Sequence, residues 1–507
     1  MSNITLLSSR KRQRPMVIDF FAGGGGASVG IEMATGKQVD LAINHDIEAI
    51  RMHSTNHPST THVTEDIFKV DLGKYIKGRQ VGLIWASPTC THFSKAKGGK
   101  PLDEQLRILP WSVYKHVKNL DPKPTCIMEN VVEIQDWGPL DENGRPIKER
   151  MGEYFQEFIH AMESLGYHYE SRELVAADYG APTTRKRWFG IFRADGKPIV
   201  WPEPTHSKNG ENGLEPWVPA STVLNLGDFG SSIFGRKKPL AEKTMKRIAA
   251  GIDKFVLSGE KPFLVQVNHA GDRFRGQSIH EPMPTITQKH GFGLVTAKIV
   301  DATKLGIKKG QVSGNHSVEA AEFLTKFYKS GIGQSMDEPL HTITTSPGHF
   351  GQVSVITMSV EDLKRNGISE EEAQKCTWVS QFLTEYYGCG VGSSLYEPVH
   401  TVVTKDRFAL ITVLGTDRAI MDICLRMLEP EELKLAQGFP KDYIIDRDMS
   451  WKRYPKSKQV ARIGNSVVPI LAKVLVEANC PELIVCKRVP CLNVSEEDNG
   501  QLCIGAM

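Results

Sequence analysis

The chain has 507 residues, of which 40% are hydrophobic, 24% charged and 8% aromatic, and its formal net charge is +3. This length allows two or three domains, and the composition is typical of a globular protein. The longest apolar runs are shorter than the ~20 residues of a membrane span, and no signal-peptide pattern opens the chain. We therefore expect a cytoplasmic protein with no membrane partner. A small net charge does not exclude nucleic-acid binding, because basic residues can cluster locally.

The first 200 residues predict a basic N-terminal tail followed by an α/β domain. Residues 1–15 form the tail, which contains RKRQR. From 16 to 200, β-rich runs alternate with helical patterns, which indicates a doubly wound, mostly parallel sheet. The last two β-rich runs predict a terminal antiparallel hairpin. The predicted strands cover 16–22, 39–46, 61–67, 81–87, 124–131 and 186–192, with the first arm of the hairpin in 167–180.

Residues 201–420 contain an internal repeat. The copies span 263–295, 323–355 and 382–413, and each contains a Glu-Pro pair followed by T-I-T or T-V-V. Each copy predicts a glycine turn with one or two strands, and such units usually bury a shared core by stacking. We expect a β-rich second domain here. Residues 421–480 predict two helices, and 481–507 form a C-terminal tail without an interpretable motif.

The first predicted strand runs into four glycines, Gly23 to Gly26, before a helix. Glycines allow close backbone approach and leave amide groups free at a helix start, which suits a cofactor. The alternative is a tight structural turn.

The stretch SPTCTHFS places Cys90 directly after the fourth strand. The carboxyl end of a central parallel strand lies in the ligand crevice of such folds, and the basic SKAKGGK that follows would favour a thiolate. The alternative is a buried structural cysteine, which is the commoner case. The nine cysteines include no C-x-x-C pair, so we expect neither a disulfide framework nor a metal site.

Polar residues also end the fifth strand, where Glu129 and Asn130 should face the same crevice. Their alternative role is helix capping. Arg185 and Arg187 would share one face of an extended segment, although such a pair is often simply solvated.

The order of these blocks resembles that of the DNA (cytosine-5) methyltransferase family of bacteria and phages. The resemblance covers 16 to about 193 and 425 to 475, and the matching blocks are FAGGGG, EDI, SPTCTHFS, ENV, ADYGAPTTRKR, QGFP and ARIGNSVVP. It implies a Rossmann-like, S-adenosylmethionine-dependent methyltransferase domain at 16–200. Residues 201–420 then become a target-recognition region, and 421–480 return to the catalytic domain.

The resemblance also implies residue roles. Cys90 would be the nucleophile that attacks C6 of cytosine, and Glu129 would contact the N3 and amino edge of the base. Asn130 would orient Glu129 and the following loop, while Arg185 and Arg187 would hold the base O2. The cofactor-binding residues would be Phe21, Ala22, Gly23, Gly25, Gly26, Asn44, Asp46, Asp66, Ile67, Pro88, Asn465 and Val467.

This chain departs from the family pattern at four positions. Asn44 stands where an acidic residue usually meets the ribose, Thr89 and Thr91 flank the cysteine, and Thr183 replaces a glutamine. An amide can still bond a diol, and Asp46 is close. The departures leave the thiol, the acid and both arginines in place.

The implied substrate is double-stranded DNA with the target cytosine turned out of the helix. Of three candidate threonines, Thr285, Thr342 and Thr401, the last best matches the family's usual placement. The expected DNA contacts are Ser94, Lys97, Lys100, Thr401, Lys405 and Arg407. The repeats could instead be scaffold, and two rival functions remain: an RNA (tRNA) cytosine-5 methyltransferase and a catalytically silent DNA-binding relative. We expect a monomer in a bacterium or phage-infected host, with a cognate restriction endonuclease as a further partner.

Overall fold

The computed structural model divides the chain into two compact units. The first comprises Met1–Pro219, Pro282–Lys289 and Pro430–Met507, and the second comprises Ala220–Glu281 and His290–Glu429. The described residues are 14–88, 107–228, 231–252, 263–266, 276–288, 291–301, 320–326, 334–335, 350–359, 367–372, 375, 379, 408–414, 418–485, 493–496 and 502–505.

The first unit is built on a sheet that has seven strands among the described residues. In chain order they are β1 (Met16–Phe20), β2 (Leu41–Asn44), β3 (Thr61–Thr64), β4 (Val81–Ala86), β5 (Thr125–Asn130), β6 (His168–Val175) and β7 (Lys186–Arg193). The helices are α1 (Gly26–Thr35), α2 (Ile47–Asn56), α3 (Gly73–Ile76), α4 (Trp111–Val117), α5 (Glu153–Ser164), α6 (Pro430–Ala436), α7 (Lys456–Asn465) and α8 (Pro469–Asn479).

Short elements join these. The 3₁₀ turns are Val132–Asp136, Lys148–Arg150, Ala176–Tyr179, Glu211–Gly213 and Pro481–Leu483, with Ala220–Val223 in the second unit. Two small strand pairs join His206–Ser207 to Glu215–Pro216 and Asn493–Glu496 to Leu502–Gly505.

The strand order is β3-β2-β1-β4-β5-β7-β6. Strands β1 to β5 are parallel, and β7 pairs antiparallel with both β5 and β6. This confirms the predicted Rossmann-like sheet with its terminal hairpin. The chain winds outward from β1 to β3 and then crosses back to β4, so the order reverses between β1 and β4. Open α/β sheets bind ligands at this switch point, at the carboxyl ends of the strands.

Side-chain alternation along the strands gives the sheet two buried faces. Ile18 and Ile84 pack on one face with α4 and α5, whereas Val17 and Leu83 pack on the other with α1 and α8. Helix α5 presents its apolar residues at helical spacing, at 155, 158, 159 and 162. Strands covered on both sides explain the nearly continuous apolar runs that predicted them.

The helix α8 completes the sheet's second face although it lies more than 400 residues after α1. The two helices approach closely at Gly30, where a Cβ atom would lie 2.2 Å from the carbonyl oxygen of Pro469. Only glycine leaves room for this contact. By length and composition the stretch Lys456–Asn479 could cross a membrane, but 67% of its most apolar window is buried, as in the core helices of globular proteins.

The second unit is β-rich, as predicted. Its described strands form one antiparallel sheet, with the short strand Ser231–Ser232 paired to Arg418–Met427 and with helix Glu242–Gly251 outside the sheet. The order of the remaining strands is Gly276–Ser278, Phe263–Gln266, Phe292–Asp301, Arg418–Met427, Phe408–Leu414, Phe350–Ser359, Ala320–Lys326 and Gln334–Ser335.

The first two sequence repeats have the same strand pairing. Phe263 lies opposite both Ser278 and Val295. In the second copy, Phe323 lies opposite both Ser335 and Val353. Each copy therefore has a central strand with one partner on either side, whereas the chain between its first two strands, at 267–275 and 327–333, lies outside the described residues. Of the third copy, only its last strand, Phe408–Leu414, lies in the described residues.

The unit boundaries differ from the predicted domain limits. The first unit continues to Pro219 and not only to 200, because the chain after 200 stays hydrogen-bonded to it, as between Thr205 N–H and the Asp178 carbonyl. The return to the first unit begins at Pro430 and not at 421, because Arg418–Met427 pairs on both sides within the second unit's sheet. The tail predicted to begin at 481 starts later, since Leu483 is fully buried.

Candidate active site

The switch point is bordered by the ends of β1 and β4. Strand β1 leads into the glycine loop, and β4 leads into Ser87 and the buried Pro88. The Ser87 N–H donates to the carbonyl of Phe20 over 3.3 Å, which keeps the two strand ends together. The catalytic candidate Cys90 lies two residues beyond Pro88 and outside the described residues, as do Thr89, Thr91, Ser94, Lys97 and Lys100.

Asn130 joins the end of β5 to this edge. Its Nδ2 donates to the carbonyl oxygen of Pro88 over 3.1 Å, and its Oδ1 accepts from the Val131 N–H over 2.8 Å. The residue is fully buried. The helical turn after β5 has no side-chain cap, so the helix-capping alternative is wrong. The amide instead holds the chain immediately before Cys90.

Glu129 and Arg187 form an ion pair at the same edge of the sheet, where β5 ends and β7 begins. Arg187 Nε lies 3.3 Å from Glu129 Oε1, and the side chains are 12% and 8% exposed. The pairing of Glu129 with Phe189 places Arg187 two residues away on the same sheet face. Burial of two charged groups costs free energy even when they are paired. A buried ion pair is therefore uncommon at a sheet edge that has only a packing role.

The two arginines have different surroundings. Strand β7 begins at Lys186, so Arg185 precedes the strand and the expected common strand face does not form. Its Nη1 donates to the carbonyl oxygens of Gly464 (3.1 Å) and Ile286 (3.3 Å), and the residue is 2% exposed. Neither Arg185 nor Arg187 is a solvated surface residue, so that alternative is wrong. Thr183, in place of the family's glutamine, is fully buried and accepts from the Arg185 N–H.

The glycine loop packs mainly against the protein itself. A Cβ at Gly24 would lie 2.5 Å from Ser466 Oγ, one at Gly25 would lie 2.0 Å from the Tyr443 hydroxyl, and one at Gly26 would lie 2.0 Å from the Val467 carbonyl. Gly25 also has a φ of 88°, which favours glycine. The returning C-terminal segment therefore explains three of the four glycines.

Gly23 differs from its neighbours. A Cβ there would meet only the Phe21 carbonyl oxygen, at 3.9 Å. Helix α1 begins just beyond, with no side-chain cap and no acidic residue in its first turn. The open space and the uncapped amide groups leave this part of the loop able to receive a ligand.

The predicted ribose contacts are engaged within the protein. Asn44 Nδ2 donates to the Ala22 carbonyl over 3.0 Å, and Asn44 Oδ1 accepts from the Asp46 N–H. Asp46 caps α2 and pairs with Arg462 Nη1 at 2.6 Å. Partial burial alone would raise the pKa of Asp46, but Arg462 and the amide hydrogen bonds together lower it, so the carboxylate is charged.

The remaining predicted cofactor residues separate into exposed and buried groups. Asp66 is exposed and accepts from the Phe68 N–H, whereas Ile67 is buried and its carbonyl accepts from His116. Phe21 is half-buried with a φ of 63°, an unusual value for a non-glycine residue. Asn465 is exposed, and the buried Val467 contacts the glycine loop through its backbone.

A family model described as C-5 cytosine-specific DNA methylase matches residues 16–250, which contain the glycine loop, the Cys90 segment, Glu129 and both arginines. Residues 16–250 belong to this methylase family.

Several curated proteins are similar to the methylase region. Type II methyltransferase M1.HphI of Haemophilus parahaemolyticus is 28% identical over 195 residues, which are 38% of this chain and 49% of that protein. M.AgeI of Thalassovita gelatinovora is 30% identical over 202 residues, 39% of this chain and 44% of that protein. M.AquIA of Picosynechococcus sp. is 27% identical over 200 residues, 38% of this chain and 78% of that protein. The chain thus spans about half the length of the first two relatives.

A buried polar network behind the methylase glycine loop has no counterpart in the sequence prediction. Ser28 Oγ donates to Asp19 Oδ2 (2.7 Å), His53 Nε2 lies 3.0 Å from Ser28 Oγ, and His53 Nδ1 lies 2.8 Å from His62 Nε2. Burial raises the pKa of Asp19 to about 7, with the Ser28 hydrogen bond opposing it. Burial and the neighbouring histidines lower the pKa of His53.

Tyr443 connects this loop to the C-terminal part of the chain. Its hydroxyl donates to the Gly24 carbonyl over 2.9 Å and lies 3.5 Å from His57 Nε2. His57 in turn lies 3.2 Å from Glu32 on α1. The sequence contains one sign of this buried network, namely Asp19 in the apolar strand MVIDF, because a buried aspartate must have a polar partner. No sequence pattern identifies that partner.

The cysteines among the described residues are all buried. Cys126, Cys424 and Cys480 are buried and form no disulfide. Burial raises the pKa of Cys126 and of Cys480 to about 12, so neither thiol is a ready nucleophile.

The DNA contacts predicted in the third repeat, Thr401, Lys405 and Arg407, lie outside the described residues. The equivalent threonine of the first repeat, Thr285, is described, and it belongs to the first unit together with the rest of Pro282–Lys289.

Proposed function

We propose that this protein methylates C5 of a cytosine in double-stranded DNA, with S-adenosylmethionine as the methyl donor and Cys90 as the nucleophile. The observation that carries the proposal is the buried Glu129–Arg187 pair beside Asn130, which holds the chain before Cys90. These groups lie at the carboxyl end of β5, next to β4 and the switch point, in a region that matches the C-5 cytosine-specific DNA methylase family.

The chemistry needs covalent catalysis because C5 of cytosine is a poor nucleophile. In the proposed reaction the Cys90 thiolate bonds to C6, which makes C5 nucleophilic. C5 then bonds to the methyl group as the methyl–sulfur bond of the donor breaks and its electron pair passes to that sulfur. Loss of the C5 proton then allows β-elimination, which restores the thiolate and the aromatic ring. Division into two easier steps is the general benefit of a covalent intermediate.

Glu129 and the arginines would stabilise the base during addition. Glu129 would contact the N3 and amino edge, and its Arg187 partner would orient it and face the O2 side. Preorganised charges in a site with little water stabilise developing charge most effectively. Asn130 would act on the Cys90 loop through the Pro88 carbonyl.

The glycine loop fits S-adenosylmethionine, whose role is to supply an electrophilic methyl group. Gly23 leaves space for close approach, and the uncapped start of α1 favours a carboxylate. Phe21 and Ile67 would provide apolar walls. Asn44 and Asp46 would reach the ribose only by exchanging their present hydrogen bonds. The other proposed contacts are Ala22, Gly25, Gly26, Asp66, Pro88, Asn465 and Val467.

The second unit would serve target recognition, with Thr401, Lys405 and Arg407 as DNA contacts, and the segment after Cys90 in the first unit would add Ser94, Lys97 and Lys100. Extraction of the cytosine from the helix costs a few kcal/mol, and this region would compensate through its contacts. The relatives' designation as Type II methyltransferases supports DNA as the substrate over tRNA, and we extend it to a cognate restriction endonuclease. The enzyme would act as a monomer in the cytoplasm of a bacterium or phage-infected host.

The test is methyl transfer from labelled S-adenosylmethionine to duplex DNA or tRNA, with wild type, Cys90→Ala and the control Cys480→Ala. We expect label in DNA for wild type and for the control, whose thiol is buried, and none for Cys90→Ala. Label in tRNA alone would support the RNA enzyme, and label in neither would support a silent binding protein. With 5-fluorocytosine at the target, an adduct on any residue other than Cys90 contradicts the mechanism.

A further inference from the structure

Residues 282–288, which we call the docked segment, leave the second unit and lie within the first. The chain enters the first unit at Pro282 and returns to the second at His290. The segment runs parallel to residues 182–184. The Thr184 N–H donates to the Met283 carbonyl over 2.7 Å, and the Met283 N–H donates to the Pro182 carbonyl over 2.9 Å. Met283 and Ile286 are 0% and 1% exposed, so two apolar side chains anchor it.

The docked segment contacts the side chain of Arg185. The Ile286 carbonyl accepts from Arg185 Nη1, which also donates to the Gly464 carbonyl. Gly464 itself lies against the segment, because a Cβ there would be 2.3 Å from the Thr287 carbonyl oxygen. Three parts of the chain therefore meet at one guanidinium group, and all three of these contacts are made by backbone carbonyl oxygens, which require close approach of the chain.

The neighbouring Arg187 is held without this segment. Its partner Glu129 lies on the adjacent strand of the same sheet. Arg185 lies before the strand, and its two described acceptors lie 101 and 279 residues away in sequence. The orientation of Arg185 thus depends on the docked segment, whereas that of Arg187 depends on the sheet.

We propose that the docked segment is a positioning element of the first repeat that fixes Arg185 for catalysis. This rests on the proposed function. The two anchors are apolar in every copy of the repeat, with Leu340 and Ile343 in the second and Val399 and Val402 in the third. Those residues provide conservative substitutions with which to test the segment.

The experiment combines amide hydrogen exchange with steady-state kinetics. Ile286→Ala and Gly464→Ala should loosen the segment, Ile286→Val should preserve it, and Gly73→Ala is the control. A Cβ at Gly73 meets only the flexible Asp71 side chain, at 3.2 Å. We expect faster exchange at Thr184 and Met283 in the first two variants. We also expect kcat about 10-fold lower or more, with the KM for S-adenosylmethionine unchanged, and wild-type behaviour in the other two.

A double variant separates positioning from simple instability. Arg185→Lys cannot span both carbonyl acceptors and should lower kcat alone. If the segment acts through Arg185, adding Ile286→Ala to Arg185→Lys should lower kcat little further. Multiplicative losses would overturn the proposal, as would an unchanged kcat per folded molecule in Gly464→Ala. Unprotected amides at Thr184 and Met283 in wild type would also overturn it. If wild type methylates nothing, the proposed function fails instead, and the exchange data still report whether the segment is seated.

Discussion

The ends of β1 and β5 both contribute to the candidate active site, but different parts of the chain hold them. At the end of β1, the glycine loop packs against Tyr443, Ser466 and Val467, more than 400 residues away. At the end of β5, the contacts come from Pro88 and Arg187, within about 60 residues. The proposed cofactor side of the site therefore depends on the C-terminal return, whereas Glu129, Asn130 and Arg187 on the proposed catalytic side are held by neighbouring strands.

We therefore expect substitutions at the two strand ends to affect different properties of the protein. Damage to the β1 end should act through folding, because atoms of the C-terminal return occupy the space beside Gly24, Gly25 and Gly26. Damage to the β5 end should act on chemistry, because the polar side chains there are paired with each other and little packing would change. Three sets of substitutions test this distinction, from the largest expected effect to the smallest.

The largest effect should follow loss of the Glu129–Arg187 pair. We expect Glu129→Gln and Arg187→Gln each to lower kcat by about 100- to 1,000-fold, since each removes a group that would stabilise the base. The double variant should be little worse than either single variant, because the residues act as a unit. Steady-state methylation assays measure this. Glu173→Gln, which breaks the more exposed Lys186–Glu173 pair on the adjacent strands, is the matched control and should retain activity.

Gly26→Ala should reduce stability, because its Cβ would meet the Val467 carbonyl oxygen at 2.0 Å. Backbone at that position cannot move aside as a side chain could, and we expect a loss of about 3 kcal/mol in the free energy of unfolding. Gly23→Ala, with open space at its Cβ, should keep its stability and lose only cofactor affinity. Urea denaturation and calorimetric titration with S-adenosylmethionine measure the two quantities. Equal stability of both variants would contradict the packing argument.

Asp19→Asn should change how stability depends on pH. Burial raises the pKa of Asp19 to about 7 from 3.8. Between these values the folded protein holds a proton that the unfolded chain has released, so wild-type stability falls as pH rises. The variant lacks this loss and should gain on the order of 2 kcal/mol relative to wild type between about pH 5 and about pH 7. A difference between the two unfolding free energies that stays constant with pH would show that Asp19 is charged throughout.

Much of the fold could be predicted from sequence because buried strands have local signatures. Apolar runs such as VGLIWA and the helical spacing of α5 are set by residues that are neighbours in the chain. The order of motifs likewise indicated the methylase family before any geometry was known. Glu129 and Asn130 were identified for the same reason, since each follows directly from its position at the end of a predicted strand.

The sequence by itself determined which strands form, where polar groups follow them, and that the middle of the chain repeats. Tertiary structure alone decided why Gly24 to Gly26 are glycine, which acceptors hold Arg185, and which copy of the repeat enters the first unit. The physical reason is the number of residues that separate the contacting groups in the sequence. Strand and helix patterns arise from contacts a few residues apart. Each of these features instead depends on atoms brought together from about 100 to more than 400 residues away, and such contacts leave no periodic signal in the chain.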